Sequence, residues 1–141
     1  MVKRSLILLF LLMTSAVHAE LVIEVTQGKQ SAIPVAVVPF SWQGSQPLPE
    51  DISGIITNDL ASSGYFRTLP ESNMISQPNN LSEVVYGDWA NLRQDFVVIG
   101  SVELLPTGYA IQFHVLDVHQ KMEILRHRVR GKASQLRDLA H

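Results

Sequence analysis

His114, Asp117 and His119 form the most suggestive polar cluster in the chain, since two imidazoles and a carboxylate are donors that a catalytic zinc site uses. Their spacing argues against convergence. If the segment is a strand, His114 projects to the face opposite Asp117, and His119 falls in the turn that follows, so only a bulge could bring the three together. A metal-dependent enzyme of unspecified substrate therefore stands as the alternative reading, and the residues themselves favour no metal, no cofactor and no catalytic group.

Other chemistries fail on spacing. Gly28-Lys29 and Gly131-Lys132 lack the upstream glycine of a phosphate-binding loop, because Ile23 and Arg126 occupy those positions. Gly44-Ser45 is followed by Gln46 and Pro47, so no nucleophile elbow is present. Glu50 and Asp51 stand at a helix start, where favourable interaction with the helix dipole explains them without catalysis. The absence of cysteine excludes disulfides, thiolate metal sites and a cysteine nucleophile. Arg126, Arg128 and Arg130 alternate with Leu125, His127 and Val129, which lines three cations along one face of a strand. No aromatic residue is interleaved on that face, so the stripe reads as a solvated face or a protein contact and not as a nucleic-acid site.

The elements that would position these residues follow from periodicity. Residues 33–40 are an almost wholly apolar run, typical of a strand buried on both faces, with Pro34 at its start and Pro39 where pairing should fail. Residues 41–49 read as an ordered loop leading into a helix whose first turn holds Glu50 and Asp51. Ile52, Ile55, Ile56 and Leu60 recur at helical spacing, and Gly64 stands where a left-handed cap is needed. A short extended segment at 65–69 precedes a surface loop at 70–80. Ser82 can cap a short turn, and Trp89 with Leu92 places a second helix at 88–94. Residues 96–105 and 109–118 form a hairpin across Pro106-Thr107-Gly108, with Ile111, Phe113 and Val115 on the covered face and Gln112 and His114 on the other. A third strand at 122–130 ends at Gly131, and a last helix beginning at Ser134 with Leu136 and Leu139 is cut short at His141. The fold expected is α/β (α+β), a mixed β-sheet packed by two or three helices.

The amino terminus belongs to export. Lys3 and Arg4 precede an apolar run at 6–13 too short to span a membrane, and a small-residue exit at 16–19 places cleavage between Ala19 and Glu20. Residues 1–19 are thus read as a signal peptide, with no direct membrane insertion once they are removed. The 122 residues left carry nine Lys and Arg against 13 Asp and Glu, a balance that does not attract nucleic acid, and suffice for one domain. Residues 20–26 alternate as a strand, Leu21, Ile23 and Val25 on one face and Val22, Glu24 and Thr26 on the other. Taken alone, the segment reads as an edge strand of the domain's own sheet.

Particular residues add to this pattern. Val37-Val38-Pro39-Phe40 with Trp42, then Pro49, Asp51-Ile52, Asp59-Leu60, Ser63-Gly64 and Phe66, followed by Trp89, Leu92, Asp95, Val97-Val98, Gly100 and Val102, are similar in order and spacing to the amino-terminal domain of the TolB family. The resemblance implies an α/β domain similar to the anticodon-binding domain of class II aminoacyl-tRNA synthetases, here at 32–141. It also implies a carboxy-terminal six-bladed propeller, outside this sequence, that carries the contacts with Pal and with colicins. It further implies a periplasmic component of the Tol-Pal complex, acting in outer-membrane integrity and in constriction during cell division. Its partner would be the carboxy-terminal domain of TolA. The mature amino terminus at 20–31, namely Glu20, Leu21, Val22, Ile23, Glu24, Val25, Thr26, Gln27 and Gly28 with the residues to Ser31, would bind it by strand addition. In the family the same segment can instead lie against its parent protein. Val22, Glu24, Thr26 and Gln27 depart from the familiar pattern but leave the apolar side intact.

Overall fold

The computed structural model describes residues 31–141, and the expected signal peptide, its cleavage point and most of the amino-terminal segment lie outside them. The elements run in the order β1 (Ile33–Val37), β2 (Ser41–Trp42), α1 (Ile52–Ser62), β3 (Phe66–Thr68), α2 (Tyr86–Asn91), β4 (Phe96–Leu105), β5 (Gly108–Asp117), β6 (Met122–Gly131) and α3 (Leu136–Ala140). Short 3-10 turns occupy Glu71–Asn73, Leu81–Glu83 and Ala133–Gln135. The strands form one six-stranded mixed sheet ordered β3-β1-β4-β5-β6, with β2 also paired to β4. The expected fold class holds.

Strand β1 lies parallel to both β3 and β4, which is why its residues are apolar on both faces. Ala36 and Val38 point into a cluster with Val97, Ile99, Leu116, Val118 and Trp89 of α2. Val35, Val37 and Val98 point the other way, towards Ile56 and Leu60 of α1. Ile52 and Leu136 continue that second layer over Val102, Tyr109 and Ile111. The sheet is therefore covered on both faces around β1 and β4, and the single covered face inferred from β5 alone is true only at its middle, around Gln112 and His114.

Pairing breaks at Pro39 as expected but resumes in β2, where Ser41 and Trp42 face Ser101 and Val102. The shift from Val37↔Val98 to Ser41↔Ser101 leaves one extra residue on the β1–β2 side, so Pro39 makes a bulge and not an end. A loop over 41–49 missed this strand. Glu50 and Asp51 precede α1 instead of forming its first turn: Asp51 caps it, its Oδ1 accepting from the Gly54 amide at 3.0 Å. Gly64 takes a φ of 75° after the helix, as its position implied. The cap of the 81–83 turn is Asn80, whose side chain accepts from the Ser82 amide at 3.0 Å, and not Ser82. Helix α2 begins earlier and ends earlier than Trp89 and Leu92 suggested, because Arg93, at φ 56°, already leaves the helical region. The last helix starts at Leu136, residues 133–135 forming a 3-10 turn.

Gly100 is where the ring of Phe40 crosses β4, and a Cβ added there would stand 2.5 Å from that ring. Gly100→Ala is expected to lower stability in urea unfolding by about 1–3 kcal/mol through overpacking. Adding Phe40→Leu should return part of the loss. A single variant as stable as the wild type would show that the ring yields freely.

Candidate protein-binding surface

Residues Glu20 to Gly28, the expected partner-binding set, lie outside the described residues. What the structure places is their point of attachment. The Ile33 amide donates to the Tyr65 carbonyl at 2.8 Å, and the Pro34 carbonyl accepts from the Asp95 amide at 3.0 Å. The chain thus enters the fold through an interior strand held on both sides.

The polar cluster read from the sequence is pulled apart by the hairpin. His114 sits on the face of β5 towards Glu123, with Nδ1 3.3 Å from a carboxylate oxygen and Nε2 3.2 Å from the Gln112 amide nitrogen. Asp117 lies on the opposite face and is taken up by the turn, Oδ1 accepting from the Gln120 amide at 2.7 Å and Oδ2 from Gln120 Nε2 at 2.9 Å. His119 meets Asp95 at 2.8 Å. There is a bulge nearby, but it falls on β6: Leu125 pairs with Val115 and Glu123 with Leu116, leaving Ile124 extra. The bulge therefore leaves His114 and Asp117 on opposite faces. Among the described residues no three His, Asp or Glu side chains gather as a metal would require.

Arg126, Arg128 and Arg130 do share one face, opposite His114, Gln112 and Ala110 of β5. Two of them are engaged. Arg126 donates through Nε and Nη2 to the two carboxylate oxygens of Glu123 at 2.9 and 3.0 Å, and Arg128 reaches Glu103 at 2.6 Å. Glu103 is not evident as a partner of the stripe from the pattern of β6 alone. Glu123 stands three residues before Arg126, a signal within reach of the sequence, whereas Glu103 needs the register of two hairpins. The charge-assisted bonds from Arg126, and to a lesser degree the contact with His114, hold the Glu123 carboxyl below its ordinary value despite partial desolvation. Gly131-Lys132 ends β6, with the Leu139 side chain packed against the glycine, and Gly44 lies against the Trp42 ring. Both are packing positions.

The TolB amino-terminal domain family matches this chain over residues 21–124. The chain belongs to that family. Its relatives include the Tol-Pal system protein TolB of Marinomonas sp. (strain MWYL1), 43% identical over 145 residues that cover 100% of this chain and 34% of the relative. The protein of the same description from Pseudomonas aeruginosa is 43% identical over 132 residues, covering 92% and 30%. The chain thus spans about a third of the length of these relatives. Among solved structures, TolB from Acinetobacter baumannii superposes with a TM-score of 0.63 at 22% identity, over 78% of this chain and 26% of that one. The LpoB carboxy-terminal domain from Salmonella enterica gives 0.58 at 17% identity, over 75% and 87%, a likeness of fold.

A carboxylate titrating below its ordinary value in the folded state, with 4.5 as the unfolded reference, stabilises the fold above that pH. The contribution is lost as pH falls through the depressed value. Chemical denaturation at pH 7 and pH 3 should therefore show a smaller loss of stability in Glu123→Gln than in the wild type. Equal losses would remove the Arg126–Glu123 pair as a contributor.

Proposed function

We propose that this domain is the amino-terminal module of a non-catalytic, periplasmic Tol-Pal component that binds the carboxy-terminal domain of TolA through residues 20–31. The observation that carries the reading is membership of the TolB amino-terminal domain family over residues 21–124, a span that includes the strand-like segment itself. Relatives described as Tol-Pal system proteins support the assignment to that complex. Signal cleavage between Ala19 and Glu20 would free the segment. Among the described residues no helix is long and apolar enough to cross a membrane.

Strand addition supplies the mechanism. Backbone amides and carbonyls of the segment complete a sheet edge of TolA, and Leu21, Ile23 and Val25 bury against it. Release of the segment from its own protein would make it a switch between two occupants, each state within a few kcal/mol of the other. Contacts with Pal and colicins would belong to the propeller outside this sequence, and the role in outer-membrane integrity and constriction would follow from the relay between partners.

Titration of the processed chain against TolA's carboxy-terminal domain tests this reading. Deleting residues 20–31, or replacing Ile23 with Asp, should weaken binding by about a hundredfold or more, as expected when an apolar anchor of a strand interface is lost. Equal affinity with and without the segment would dispose of the mechanism.

A further inference from the structure

We infer that the outer edge of β6 is a second docking site, built to accept an extended segment of another protein whose carboxylates alternate with apolar side chains. Strand β6 stands last in the sheet order and is ten residues long, so among the described residues one side of its backbone has no strand beside it. An edge of that length is a template for strand addition unless its side chains forbid it.

The side chains of β6 select by charge. On one face Arg126, Arg128 and Arg130 repeat at every second position, and on the other Leu125, His127 and Val129 continue the layer of Val115, Phe113 and Ile111. Leu125 is 50% exposed, as is the neighbouring Ile124 at 49%, so apolar surface remains along the edge. Glu123 and Glu103 hold two of the guanidiniums in fixed positions without exhausting their five donors, and Arg130 has no carboxylate partner among the described residues. An added strand with acidic residues at alternate positions would place each of them beside an arginine, with its apolar residues along Leu125 and Val129.

The same pattern opposes a second copy of this chain in the register that pairs the whole strand. Antiparallel pairing of β6 with itself across a two-fold axis sets one arginine stripe against another, and like charges directly opposite are destabilising. A neutral strand gains nothing from the cations. An acidic partner alone turns the charges that guard the edge into contacts.

The probe is a peptide as long as β6 in which glutamate alternates with valine, added to the processed full chain. Fluorescence anisotropy of the labelled peptide should show saturable binding that weakens as salt rises. Amide hydrogen exchange should show new protection at those amides of Met122–Gly131 that point away from β5. Arg130→Glu should weaken binding by about tenfold or more, as should exchanging the glutamates of the peptide for lysine, a change that leaves the protein untouched. The proposal is overturned if the peptide does not bind, if its lysine version binds equally, or if protection appears elsewhere. It is equally overturned if the β6 amides that point away from β5 are already protected before peptide is added, since the chain's own residues 20–26 or a second copy would then hold the edge.

Discussion

The double burial of β4 is the constraint on which the rest of the domain depends. Its edges carry β1 and β2 on one side and β5 on the other, and its faces send Val97 and Ile99 towards α2 and Val98 and Val102 towards α1 and α3. Over Val97–Val102, where neither face is open to solvent, β4 cannot slip by one residue without moving its side chains into the wrong layer. Register throughout the sheet is therefore inherited from β4. The bulge at Pro39 and the one at Ile124 lie on its neighbours or beyond them, where an extra residue can be absorbed.

That constraint separates what is legible in the sequence from what is not. The bounds of β4, the existence of the hairpin after it and the left-handed glycine at 64 are legible because each rests on local chemistry: an apolar run, a Pro-Thr-Gly connection, a residue without a Cβ. Strand β2 is not legible, because its pairing is set by a neighbour 60 positions away and Pro39 looks locally like a stop. Burial of both faces of β1 is legible from its composition. That both faces are also buried at the two ends of β5 is hidden by Gln112 and His114, which stand half-buried at its middle. Helix caps fail at the level of single residues: Asn80 and Ser82 are both competent, and the geometry of the turn decides between them.

The polar residues teach a similar lesson. Alternation along a strand assigns faces correctly, which is how spacing alone separates His114 from Asp117. It is silent on partners from other strands. The arginine stripe reads as a free cationic surface because Glu103, 25 residues from Arg128, is brought to it only by two successive hairpins. Two engaged guanidiniums weaken the general field of the stripe but fix its geometry, which shifts its use from attracting polyanions towards short-range, directional contact.

The entry of the chain through β1 bears on the proposed relay. A segment pulled by a partner at residues 20–31 would transmit load into Ile33, whose strand is hydrogen-bonded along both sides: Ile33 to Tyr65, Leu69 to Val35, Asp95 to Pro34 and Val38 to Val98. Load applied along a strand's axis acts on such bonds together and in shear, whereas an edge strand peeled from its end loses them one at a time. Forced unfolding is governed by the barrier to the first cooperative rupture. An interior parallel strand sets that barrier higher than the short edge strand β3 could. A binding segment joined to β1 can thus yield its partner before the domain yields its core, which is the order a reversible connection requires.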